Sequence, residues 1–336
     1  MLRLPVLALS LCLGHSQPLE PRSGKRPAPY TPIAGKPSQL QTQNAGEGPA
    51  WDARTQSLYF TGNGRISRYD SNKVTSVYRE ESGNANGLLF DHQGRLVVCE
   101  SGNCRVTRTE ADGAITVLAD SFEGKKFNTP NDLTIDSKGR IYFTDPRYGN
   151  RDSMEMRDGG GHLIEGVYRI DAPGKVSRVL GRELERPNGI LVSPDDQYLY
   201  VADNNNNKIG GARKLWRFDL KEDGAVNVSS RKLIFDWKTS RGPDGLKMNS
   251  RGILFVAAGL NKPSPPFETV EPYPGGVYVI SDDGRLLDFI SIPQDEVTNC
   301  AFGGPDLRTI FVTAGGTLWS IQMPAPLPSR AGPQPR

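Results

Sequence analysis

Six residues with side-chain oxygens, Glu47, Asn86, Asn131, Asn188, Asp244 and Asn299, open six copies of one sequence pattern, their starts 39, 45, 57, 56 and 55 residues apart. Carboxylate and amide oxygens gathered without histidine or thiolate suit a hard cation such as Ca²⁺. The chain has only three histidines, His15, His92 and His162, which removes most histidine-based catalysis. A Ser-His-Asp arrangement would need His162, or His92 in the turn-like Asp91-His-Gln-Gly. No His-Glu-x-x-His occurs, and Gly159-Gly-Gly-His lacks the Lys-Ser/Thr of a phosphate loop. A competing reading stays open: Asn-Gly and Asp-Gly are common turn pairs, so several of the six could merely begin strands. Glu47 counts against it, because Glu is a poor turn residue and yet holds the same register.

The elements that must gather these residues follow from the repeat. Each copy runs from the oxygen-bearing residue through a short apolar stretch and a polar turn into a β-forming strand. Asn86-Gly-Leu-Leu-Phe-Asp with Arg95-Leu-Val-Val-Cys is one example, and Asn188-Gly-Ile-Leu-Val-Ser with Tyr198-Leu-Tyr-Val-Ala is another. In the first five copies two more strand-like runs follow, many of them separated by Asp-Gly, Gly-Lys or Gly-Arg turns. Such spacing predicts an all-β, six-bladed β-propeller with four-stranded blades; unrelated hairpins in a sandwich would not keep six copies in register. The sixth copy supplies only three strands, Asn299 to Phe302, Thr309 to Thr313 and Thr317 to Ile321. A strand from around Ile33 to Leu40 is expected to complete it and close the ring, hiding open sheet edges. The first strand of each blade then lines the channel, with its starting residue at one mouth.

Composition agrees. Hydrophobic residues are 36% of the 336, with 37 Gly and 26 Pro, which suits a turn-rich β protein. Lys plus Arg at 41 against 38 acidic residues leaves a charge of +3, no electrostatic argument for nucleic acid or an anionic membrane. Residues 1–16, Met-Leu-Arg and then an uncharged run from Leu4, read as a secretory signal peptide too short to span a bilayer. Residues 17–36 are Pro-rich and expected to be irregular and 324–336 form an expectedly disordered Pro-rich tail, leaving 37–323 as the propeller. The expectation is a secreted or periplasmic, soluble protein, taken as a monomer. Cys99, Cys104 and Cys300 remain after the signal; buried free thiols are favoured over a Cys99–Cys104 bridge.

Several motifs carry a resemblance. Glu47-Gly-Pro, Asn131-Asp after Thr-Pro, Pro187-Asn188-Gly, Pro243-Asp244-Gly and Thr298-Asn-Cys-Ala-Phe-Gly-Gly resemble the senescence-marker-protein/gluconolactonase (regucalcin-like) family of six-bladed propellers. The likeness runs from about residue 44 to 321. Glu-Arg-Pro-Asn-Gly and Phe143 to Gly149 are more similar to its bacterial secreted lactonases than to its animal cytosolic members. The resemblance implies one catalytic divalent ion, usually Ca²⁺ although another divalent cation would fit, held by Glu47, Asn131, Asn188 and Asp244. Asn86 and Asn299 do not match ligand positions and are read as channel hydrogen-bonders. Thr129, where animal members carry Arg, and Ser101, where related bacterial lactonases often carry His, depart from the family and bear on substrate contacts.

The implied reaction is hydrolysis of a small sugar lactone such as gluconolactone. A dication polarises the carbonyl and acidifies a water, and Asp244 is the candidate general base, with a purely ligating role as its alternative. Asp132 would orient a ligand or touch a water. Asp145, Asp203 and Asn204, at the ends of second strands, could reach the mouth from the side. The long connections Arg147 to Glu165 and Asn261 to Pro274 suggest lids or recognition elements, with Tyr148 and His162 as candidate substrate contacts. Other readings are an esterase or phosphotriesterase on the same metal site, or a non-catalytic propeller that binds a ligand or protein.

Overall fold

The computed structural model describes residues 30–32 and 35–327. The signal segment 1–16, most of 17–36, Ile33 and Ala34, and the tail beyond residue 327 lie outside the described residues.

Six antiparallel sheets of four strands form the blades of a six-bladed propeller. Their innermost strands are Glu47–Asp52, Ala85–Phe90, Leu133–Ile135, Pro187–Val192, Pro243–Met248 and Val297–Gly303. Each of these touches the innermost strand of the blade before and after it, and the last returns to the first. Among the described residues there is no α-helix, only a 3-10 turn at Ser101–Asn103.

The alternation of side chains along a strand decides where the core lies. In the second strand of the fifth blade, Leu254, Val256 and Ala258 point into the cluster shared with the fourth blade. Phe255 and Ala257 point into the one shared with the sixth. Every junction between neighbouring blades is filled in this way, so the core is a ring of apolar seams around a polar channel.

Closure follows the sequence expectation. Ser38–Gln41 pairs antiparallel with Thr317–Gln322, Ser38 opposite Ser320 and Gln39 opposite Trp319. Two described residues of the flanking segments are anchored to the ring. The Tyr30 hydroxyl donates to Asp288 Oδ2 at 3.1 Å, and its ring packs on the core between the fifth and sixth blades. The tail, expected to be disordered from Pro324, stays docked through Leu327. That residue's amide donates to the Leu307 carbonyl at 2.7 Å, and its side chain is buried in the same core. Composition registers the prolines and misses a single apolar anchor among them. A chain beginning at Gln43 would leave Thr317–Gln322 as an open edge and lose Tyr30. It is expected to lower the thermal midpoint by roughly 10 °C, about 3 kcal/mol at a few degrees each, as measured by thermal unfolding.

The turns between first and second strands sit at the end opposite the register residues. Asp91, Asp136 and Asn249 each accept the amides two and four residues further on. Neighbouring turns also tie to each other: His92 Nε2 lies 2.8 Å from the Asp136 carbonyl and the Ser137 amide 3.2 Å from Asp196 Oδ1. His92 is therefore a blade tie at the far end of the channel. Cys99, Cys104 and Cys300 are buried free thiols.

Candidate metal centre and active site

The register residues owe their placement to the glycine that follows four of them. A Cβ on Gly48 would lie 2.1 Å from the Asn86 carbonyl, on Gly87 2.6 Å from the Asn131 carbonyl, on Gly189 2.0 Å from the Asp244 carbonyl, and on Gly245 2.0 Å from the Asn299 amide. Only Gly48 of these has a positive φ. Close approach of adjacent inner strands, rather than turn chemistry, requires the other three. Further bonds fix neighbouring blades to one another. Thr61 Oγ1 donates to the Asn86 carbonyl at 2.9 Å, the Gly87 amide to that of Asn131 at 2.7 Å, and Thr144 Oγ1 to that of Asn188 at 2.6 Å.

The third and sixth blades carry Asp132 and Cys300 where four others have glycine, so Asp132 adds a carboxylate to the channel. Asn299 bridges the ring: its Nδ2 lies 3.3 Å from Glu47 Oε2 and 3.4 Å from Asp132 Oδ2. Asn188 Nδ2 donates to the Tyr148 hydroxyl at 2.9 Å, and its side chain favours the ionised form of the Asp244 carboxyl. Asn131, Asp132, Asn188, Asp244 and Asn299 are all more than nine-tenths buried. Glu47 and Asn86 are partly exposed.

Three carboxyls in this enclosure oppose one another's ionisation. Burial, then the charges of Asp244 and Asp132, push Glu47 well above the usual carboxylate range. Burial pushes Asp244 up to about 7; the Arg241 guanidinium pulls it down and Asp132 pushes it up. Burial also raises Asp132, against the pull of Lys247. A bound dication would relieve all three. Among the described residues no three His, Cys, Asp or Glu side chains form a ligand cluster, so a ligand set must draw on amide oxygens. Two such oxygens fit. The Asn131 side chain makes no hydrogen bond among the described residues, and Asn188 spends its Nδ2 on Tyr148. Glu47, Asn131, Asn188 and Asp244 together offer the carboxylate and amide oxygens that a hard dication takes.

Other candidates lie elsewhere. Asp203 is committed to the backbone: Oδ1 accepts the Glu185 and Arg186 amides at 3.0 and 2.8 Å, and Trp216 Nε1 is 3.3 Å from Oδ2. Asp145 accepts the Asn128 amide at 2.9 Å, and burial holds its carboxyl up to about 8. Each Asp anchors the loop entering the inner strand of its own blade. Asn204 is fully buried beside Gly242 and Arg213, its side-chain amide without a partner among the described residues. The exposed His162 ring rests on Asp158, 3.1 Å away, in the bridge of Arg157 to Leu163, and does not join the channel residues. Tyr148, from the same connection, does. Sequence reasoning missed Arg186 and Arg241, which precede Asn188 and Asp244 by two and three residues; a basic residue ahead of Pro-Asn-Gly and Pro-Asp-Gly was the available signal.

The SMP-30/Gluconolactonase/LRE-like region matches residues 45–316. A gluconolactonase of Zymomonas mobilis is 28% identical over 308 residues, covering 84% of this chain and 79% of the relative. A 6-deoxy-6-sulfogluconolactonase of Pseudomonas putida is 30% identical over 280 residues, covering 80% and 82%. A solved gluconolactonase of Xanthomonas campestris superposes with a TM-score of 0.71 at 29% identity, covering 87% of this chain and 91% of that one. The calcium-binding protein regucalcin of Agrobacterium tumefaciens, 18% identical with a TM-score of 0.66 over 92% of this chain and 99% of that one, shares the fold. The chain belongs to the SMP-30/gluconolactonase/LRE-like family.

Proposed function

We propose that the protein is a Ca²⁺-dependent hydrolase of a sugar lactone such as gluconolactone, acting outside the cytoplasm as a monomer. What supports the reading is the row of side-chain oxygens Glu47, Asn131, Asn188 and Asp244 at or near the starts of inner strands, in a chain whose relatives are named as lactonases. Export is supported by the uncharged run after Arg3.

Glu47, Asn131, Asn188 and Asp244 would hold a dication, which would polarise the carbonyl and make a water more acidic. Asp244 accepts the proton of the attacking water, its carboxylate oriented by the Asn188 amide and the Gly245 amide. Water oxygen bonds to the carbonyl carbon, the bond from that carbon to the ring oxygen breaks, and the ring oxygen takes the proton, giving the open hydroxy acid. Asn299 keeps Glu47 and Asp132 apart by hydrogen-bonding both. Tyr148 at the rim is a substrate contact on this reading.

The test is acid release from glucono-δ-lactone, followed with a pH indicator above the spontaneous rate. Chelation is expected to remove the activity and added Ca²⁺ to restore it. No acid release, or a rate indifferent to complete metal removal, would refute the reading.

A further inference from the structure

The long connection between the second strand Ile141–Asp145 and third strand Gly166–Ala172 of the third blade is pinned at both ends by one buried carboxylate. Glu165 Oε2 accepts the Arg147 amide at 2.8 Å and Arg186 Nε at 2.9 Å. Its Oε1 takes Arg186 Nη2 at 3.3 Å and also pairs with Arg151. Glu165 and Arg186 are 4% and 2% exposed, so the pair is desolvated and tolerates few geometries. Arg186 Nη1 is bonded to Asn207 Oδ1 at 2.7 Å, and its guanidinium lies 5.1 Å from the centroid of the Tyr148 ring. Tyr148 is thus fixed on two sides, by the pinned backbone at Arg147 and by the stacked Arg186.

The consequence reaches the metal residues. The Tyr148 hydroxyl receives Asn188 Nδ2 at 2.9 Å, and the same side chain lies close enough to Asp244 to favour its ionised form. With Nδ2 engaged by the Tyr148 hydroxyl, the amide is held in one orientation and Asn188 Oδ1 is left for a cation. We infer that Glu165, acting through Arg186 and Tyr148, is a positioning residue for Asn188, so that an element outside the ligand set governs cation affinity and turnover. The inference rests on the reading proposed above for the channel mouth. It adds a device that no ligand-set argument contains: a clamp from the third blade acting on a ligand of the fourth.

The experiment is a double-mutant cycle on the full chain with Tyr148→Phe, Glu165→Gln and the pair, read by Ca²⁺ titration calorimetry and by kcat and KM on glucono-δ-lactone. Tyr148→Phe is expected to weaken Ca²⁺ binding about tenfold, as lost outer contacts to metal ligands do, and to lower kcat more than KM rises. The double variant should be no worse than the worse single variant, because both changes act along one path. Multiplicative losses, or wild-type Ca²⁺ affinity in Tyr148→Phe, would overturn it. Should Glu165→Gln fail to fold, Tyr148→Phe alone decides through calorimetry. If the wild type binds Ca²⁺ and hydrolyses no lactone, the proposed reaction fails while the affinity arm still judges the clamp.

Discussion

Replacing Asp244 by Asn is expected to lower lactone turnover by about 10³-fold while Ca²⁺ binding stays measurable, the size of loss general-base removal produces. The substitution keeps the side chain's shape and one carbonyl oxygen. It removes the negative charge and the ability to accept a proton from water. The contacts that place Asp244, the Asn188 side chain and the Gly245 amide, sit on neighbouring inner strands brought together at Gly189, so the oxygen should remain near its native place. Turnover and Ca²⁺ affinity measured on the same preparation separate the roles. Loss of both together would make Asp244 chiefly a ligand, and retained turnover would move the base to Asp132, the carboxylate that stands where four blades have glycine. A second control is the thermal midpoint: removing one of three mutually opposed carboxylates should not destabilise the metal-free fold.

The ring was legible because propeller strands obey a local rule. Period-two alternation and recurring turns repeat six times, and the missing strand of the sixth blade could be counted before it was located at Ser38–Gln41. The register residues were legible for the same reason. Their glycine neighbours were visible but open to a turn explanation, since only the distance to the next blade distinguishes close approach from positive φ. Asn299 was placed as a channel hydrogen-bonder, whereas its bridging of Glu47 and Asp132 joins residues 252 and 167 positions away, which no periodicity encodes. The long connection after Asp145 was recognised by length alone. Which side chain of Tyr148 and His162 faced the mouth depended on Glu165 gripping Arg186 from another blade, a contact between non-repeating segments. Asp203 carries a related ambiguity: an acid at a strand end serves the backbone of its own blade, here the Glu185 and Arg186 amides, as readily as a substrate.

Cation binding should stabilise this fold in a pH-dependent way, and the sign follows from the carboxyls. Asp244 moves from an ordinary 3.8 to about 7 on folding, and Glu47 and Asp132 are also raised. Between about pH 4 and 7 the folded, metal-free protein holds protons that the unfolded chain has released. Its stability therefore falls as pH rises through that window and levels above it. Below the window the carboxyls are protonated in both states and the penalty is absent. A dication needs the carboxylates ionised, so its benefit grows over the same range. At free Ca²⁺ about a hundredfold above Kd the stabilisation is about 2.7 kcal/mol, or roughly 5–10 °C in thermal midpoint for a chain of this size. The midpoint difference with and without Ca²⁺ is expected to be small near pH 5 and largest near pH 8, as differential scanning fluorimetry would show. Asp132→Asn should flatten the metal-free curve, because its charge raises both Glu47 and Asp244. Asp145, held up to about 8 by burial away from this set, should leave a residual downward slope between pH 4 and 8 that Ca²⁺ does not remove. A midpoint difference independent of pH would show that the cation is not held by these carboxylates.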